Sequence, residues 1–110
     1  MTNDLNNQDT PNLQKFLKEN SNWTIVHGQN QKFLASHNEL IRECEFSSRN
    51  STMEFVNAIL KLAEKQDHDP TLIVEWHKVT LVWSTHSKKA VTDLDIEMAT
   101  RSDEIYNKMN

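Results

Sequence analysis

A single glycine in 110 residues leaves no material for a phosphate-cradling loop, and so little of it favours a regular fold over a loop-rich one. One cysteine, Cys44, cannot form an intrachain disulfide, so nothing staples the fold and a reducing compartment is the default. Positive charge is in deficit: 12 Lys and Arg against 16 Asp and Glu give a net charge of −4. No summed positive field draws phosphates in, which excludes the simplest nucleic-acid reading. No apolar run reaches membrane-spanning length, and residues 1–12 carry neither the basic nor the apolar part of an export signal. Zinc-type spacings are missing as well. A soluble cytoplasmic protein is expected, with the nucleus also open, and with neither a membrane nor nucleic acid as direct partner.

What is present suits one domain with one core, 36% hydrophobic and 25% charged. Met1 to Thr10 are almost wholly polar and read as a mobile N-terminal arm, leaving residues 11–110 as the domain. Pro11 suits a first helical turn, and Leu13, Phe16 and Leu17 follow at i, i+3, i+4 spacing, a short amphipathic helix ending near Asn20-Ser21-Asn22. Trp23 to Val26 reads as a strand closed by Gly28 and Asn30. Glu39 to Phe46 reads as the next, with Leu40, Cys44 and Phe46 on one parity and Arg42 as the exception. Ser51 to Glu54 fits a capping box for a helix running to about Gln66, its face formed by Met53, Val56, Ile59, Leu60 and Ala63.

Thr71 to His86 is rich in β-branched and aromatic residues. As one strand it would extend about 50 Å, beyond the roughly 30 Å of a globule this size, so it folds back near His77-Lys78. Two strands result, Leu72 to Trp76 and Val79 to Thr85. Thr92 to Asp95 caps a last helix with Leu94, Met98, Ile105 and Met109 in a stripe. The expected fold class is α+β in the order α-β-β-α-β-β-α, a four-stranded antiparallel sheet with helices packed on one face.

For chemistry, Cys44 lies between two glutamates, which blunts it as a nucleophile. His68, His77 and His86 are evenly spaced, but loop, turn and strand-end positions explain that more simply than metal ligation. His27, His37 and His77 are read as surface residues. The polar run from Glu64 to Pro70 reads, taken alone, as a solvated helix terminus, with Pro70 turning the chain into the next strand.

Taken together, Glu64, His68-Asp69-Pro70, Trp76, His86 and Asp95 closely resemble the signature of the pterin-4a-carbinolamine dehydratase family: an acidic residue, His-His-Pro, an aromatic, a His and an Asp at fixed intervals. Ser84-Thr85-His86 and Ala63-Glu64-Lys65 agree in the flanks, and the resemblance is tight from Ser47 onward. Asp69 stands where the family has its second His, Ser87 to Ala90 lacks the glycine usual in that turn, and Gln29 to Asn38 looks like an insertion.

The resemblance implies a lyase of tetrahydrobiopterin recycling. Its members dehydrate 4a-hydroxytetrahydrobiopterin to quinonoid dihydrobiopterin without metal or organic cofactor. One group protonates the leaving hydroxyl and another removes the N5 proton, tasks that suit histidine near neutrality. Carried over, His68, His86, Asp69 and Asp95 are the catalytic set. Asp67, His68, Asp69, Pro70, Trp76, Ser84, Thr85, His86 and Ser87 line the pterin pocket, with Glu64 behind them. Asp95 is equally a cap of the last helix, and Glu64 equally a solvated helix residue. Carboxylates ordinarily ionise near pH 4, so Asp69 accepts a hydrogen bond more readily than it acts as an acid. A homodimer or homotetramer is expected. The competing reading is a non-catalytic interaction module of the same fold, a transcriptional dimerisation cofactor or an assembly factor, with Met98, Ile105, Tyr106 and Met109 as its face, although core packing explains the same stripe more often.

Overall fold

A fully buried strand organises the molecule. The computed structural model describes residues 8–26 and 37–109, and within them three helices and four strands follow in the expected order. They are α1 (Leu13–Glu19), β1 (Thr24–Val26), β2 (Glu39–Glu45), α2 (Arg49–Gln66), β3 (Thr71–Val74), β4 (Lys78–Trp83) and α3 (Asp93–Met109). All pairings are antiparallel and the sheet order is β1-β2-β4-β3. β4 thus has a neighbour on each side, and Val79 to Trp83 are all buried. Leu40 lies opposite Trp83, Cys44 opposite Val79 and Leu72 opposite Leu81, so these side chains share one face. Leu13 and Phe16 from α1, Phe55 and Ile59 from α2, and Met98 and Ala99 from α3 close a single core against it.

Arg42, the odd residue of β2, points to that same face by register. Its guanidinium pairs with Asp103 and lies over the Tyr106 ring at 4.9 Å. Asp103 also accepts from the Trp23 indole N–H, so one carboxylate of α3 ties β2 to the residue that precedes β1.

Helix α2 starts earlier than expected. Ser48 is its N-cap, the hydroxyl accepting the Ser51 N–H at 3.1 Å, and Ser51 lies inside the helix. The earlier serine wins because it adds helical residues while satisfying an orphan donor. The buried face is correspondingly turned: Thr52, Phe55, Val56, Ile59 and Ala63 point inward, while Met53 and Leu60 are 45% and 49% exposed. Thr52 is tolerated inside because its hydroxyl donates to the Ser48 carbonyl. The stripe of α3 belongs to the core: Met98 is fully buried, and Ile105, Tyr106 and Met109 pack against it, so they form no free face.

The expected strand ends shorten to Val74 and Trp83. Of the polar arm, Asp9 and Thr10 are docked rather than mobile. The Thr10 N–H donates to the Val91 carbonyl, the Asp9 carboxylate accepts the Val91 N–H, and the Thr10 hydroxyl donates to Asp93. With the Asn12 amide, that hydroxyl holds the Asp93 carboxyl below the usual carboxylate range. Residues 1–7 of the arm, His27, and the Gly28 and Asn30 assigned to a strand end lie outside the described residues. No helix among the described residues is long and apolar enough to cross a membrane.

Burial pushes the Cys44 thiol up to about 11, Arg42 opposing and Asp103 adding to it. Its flanking glutamates are not the cause, since they alternate to the other face of β2. At pH 8 the native thiol is therefore protonated and covered. A disulfide reagent is expected to leave it unreacted in the folded protein and to titrate one thiol per chain in denaturant. Stoichiometric reaction of the folded chain would contradict the burial of this strand.

Candidate active site

The site forms where three chain segments end together. Helix α2 finishes in a reciprocal turn: the Asp67 N–H bonds the Glu64 carbonyl and the His68 N–H bonds the Ala63 carbonyl at 3.0 Å. Asp67 takes the left-handed conformation that such a turn requires, φ 52° and ψ 46°. That reversal brings His68 back over the sheet. Its imidazole stacks on the indole of Trp83, ring centres 5.6 Å apart and planes within 9°. Trp83 is itself held, its indole N–H donating to Ser102 of α3 at 3.1 Å.

The ring of His68 ends on Asp95, Nε2 to Oδ1 at 2.6 Å, with the carboxylate fully buried and the imidazole 12% exposed. The other carboxylate oxygen, Oδ2, accepts the Thr92 N–H and the Thr85 hydroxyl, each at 2.8 Å. The Thr92 hydroxyl sits 2.7 Å from that of Thr85. Asp95 therefore caps α3 with one oxygen and grips His68 with the other. An ionised carboxylate only accepts, which makes His68 Nε2 the protonated nitrogen and leaves Nδ1 available.

His86 lies one residue beyond Thr85 and is exposed. Its ring meets a histidine that sequence reasoning had placed on the surface: His37 is 8% exposed and stands edge-on to it, ring centres 5.3 Å apart. His37 Nε2 is 3.4 Å from the Ser84 hydroxyl, which donates to the buried Glu39 carboxylate at 3.0 Å. Parity along β2 gave no sign of it, because His37 and Glu39 fall on the alternation opposite to Leu40 and Cys44 in the core. His68 and His86 thus stand at the same end of the sheet with different supporting groups, Asp95 behind one and His37 beside the other.

The remaining predicted residues divide. Asp67, Asp69 and Glu64 are exposed and Pro70 is half-buried at the foot of β3. Ser84 is buried behind His86, and Ser87 is exposed in the turn that an isolated bridge, Thr85 to Ala90, closes. In that turn Lys89 holds φ 51°, a left-handed position where glycine is relieved of strain. Trp76 is elsewhere. It sits at the β3–β4 turn, roughly 17 Å along the strand from Thr71, 65% exposed, with the Arg49 guanidinium 3.8 Å from its ring centre. His77 is exposed in the same turn, so the three evenly spaced histidines do not converge. The groove of about 390 Å³ between α1 and α3, lined by Lys15, Phe16, Glu19 and Ile96, is separate and contains none of the site histidines.

Three helices on a four-stranded antiparallel sheet, with His68 and His86 at one end of it and a buried carboxylate behind His68, define a small α+β protein. The family model for pterin 4 alpha carbinolamine dehydratase matches residues 6–105, and the chain belongs to that family. It is 28% identical over 99 residues to a provisionally named pterin-4-alpha-carbinolamine dehydratase of Hahella chejuensis, covering 90% of this chain and 83% of the relative. A protein of the same provisional name from Chlorobaculum tepidum is 32% identical, over 84% of this chain and 78% of its own. Among solved structures, a transcriptional coactivator/pterin dehydratase from Brucella melitensis superposes with a TM-score of 0.74 at 26% identity, covering 94% of this chain and 99% of the other. A pterin dehydratase-like RuBisCO assembly factor of the alpha-carboxysome, at 18% identity and a TM-score of 0.55 over 63% of this chain and 80% of its own, shares the fold.

Asp95→Asn keeps the shape but offers one accepting oxygen in place of two. With that oxygen retained by Thr92 and Thr85, the amide N–H faces His68 and forces its proton from Nε2 to Nδ1. Nitrogen NMR of the ring is expected to show that tautomer switch, with a stability loss of about 1–3 kcal/mol in denaturant melts. An unchanged tautomer would contradict the geometry.

Proposed function

We propose that this protein dehydrates a 4a-hydroxytetrahydropterin, 4a-hydroxytetrahydrobiopterin being the reference substrate, to the quinonoid dihydropterin and water. The observation that carries the reading is the His68–Asp95 pair at 2.6 Å, a partly exposed imidazole fixed by a fully buried carboxylate. With its Nε2–H committed to Asp95, His68 acts from the imidazolium form and delivers the Nδ1 proton to the leaving 4a-oxygen. His86, exposed just beyond the end of β4, removes the N5 proton. One proton is delivered as the C4a–O bond breaks and one is collected as the C4a–N5 double bond forms, so both rings return to their starting states through solvent. Asp69, exposed beside His68, and Thr85 to Ser87 supply acceptors and donors for the polar edge of the pterin. Glu64 is a solvated residue of α2 in this account, and Trp76 takes no part in the pocket.

Copies of the chain are proposed to associate as a homodimer or homotetramer. β3 is an edge strand, Val74 and Trp76 are exposed on and beside it, and Met53 and Leu60 project from α2. The same patch favours the second reading, an interaction module, and the two separate by assay. Purified protein is expected to accelerate dehydration of the carbinolamine over its spontaneous rate. His68→Gln and His86→Gln are each expected to lower that acceleration by about 10²- to 10⁴-fold, and Asp69→His to raise it. A spontaneous rate unchanged by the wild-type protein would leave the interaction reading.

A further inference from the structure

We propose that His37 is a positioning residue for His86, the last imidazole of a buried chain running Glu39–Ser84–His37. This rests on the acid/base reading of His86 given above. Glu39 is 3% exposed and its carboxylate accepts the Ser84 hydroxyl at 3.0 Å. Ser84 has one hydrogen and spends it there, so its oxygen accepts from His37, whose Nε2 is 3.4 Å away. His37 is thereby set as the Nε2–H tautomer and its Nδ1 carries a bare lone pair. That Nδ1 is buried and has no partner among the described residues. A buried acceptor left open beside a second imidazole is a place for that imidazole's N–H. The His86 ring stands next to it, 88° to its plane.

When one N–H of His86 turns onto His37 Nδ1, its other nitrogen is left as the lone pair that takes the N5 proton. Every donor in the row then points toward Glu39, and the positive charge gained by His86 is balanced through Ser84 and His37 by a buried carboxylate. The logic is that of a base oriented by a second group and a carboxylate behind it. The other ionisable groups on the elements around His86 are Asp9 beyond Asn38, His68 and Asp95 across Thr85, and Lys88 and Lys89 in its own turn.

The test follows the His86 ring by nitrogen NMR titration in the full chain, beside dehydration kinetics. His37→Phe keeps a ring and removes the acceptor, and Ser84→Ala breaks the row behind it. Both are expected to lower the His86 titration midpoint by about half a pH unit or more while leaving that of His68 in place. They are also expected to lower kcat about 10-fold with KM little changed. His37→Asn, which returns a polar atom near the Nδ1 position, is expected to recover part of both. A His86 midpoint that stays put or rises in a folded His37→Phe protein overturns the inference. The titration reads the coupling even if the wild-type protein proves inactive on the carbinolamine, so failure of the catalytic reading and failure of this one are told apart. Should His37→Phe fold poorly, Ser84→Ala, the loss of one buried hydroxyl, reads the same midpoint.

Discussion

A single buried carboxylate holds the end of this molecule together. Asp95 is fully inaccessible and accepts from a backbone N–H at the start of α3, a hydroxyl at the end of β4, and an imidazole at the end of α2. Burying a charge is unfavourable unless it is surrounded by donors, and here each donor comes from a different element. The satisfaction of that charge therefore fixes three chain ends relative to one another. It also presents a histidine to the surface in one orientation and one tautomer.

The rest of the fold places those ends. Trp83 stands on β4 with Ser102 holding its indole, giving His68 a flat apolar platform. A left-handed Asp67 ends α2 at the right residue for the ring to reach it. Across the strand end, alternation sends Ser84 to the side of Glu39, where His37 and His86 meet. β4 thus serves two groups of polar side chains with consecutive residues, Thr85 toward Asp95 and Ser84 toward Glu39.

Much of this was legible, for identifiable reasons. Period-two and period-3.6 patterning located all seven elements, because each buries one face against a single core. Thr92 and Asp95 are three apart, and that interval alone implied a cap. The errors are equally specific. Thr52 counts as polar in any pattern, so Met53 and Leu60 joined Val56, Ile59 and Ala63 on the expected face, although a hydroxyl bonded to its own helix packs inside without penalty. The capping box at Ser51 to Glu54 placed the helix start three residues late, since Ser48 upstream caps the same helix. Trp76 shares a motif with His68 in sequence, but strand residues carry the chain away at about 3.3 Å each, and a motif interval does not register that departure. His37 gave no hydrophobic signal at all. Its burial follows from Glu39 and Ser84 requiring partners, a fact of tertiary pairing. Asp9 and Thr10 were hidden likewise, since their polarity looked like solvation and is instead spent on Val91 and Asp93.

The central claim is that two imidazoles with separate supports serve one bound molecule. Titrating a tetrahydropterin that lacks the 4a-hydroxyl into histidine-labelled protein reports on both rings at once. The account predicts that the His68 and His86 resonances move together along one saturating binding curve. Movement of one ring alone, or of the two along different curves, would contradict it.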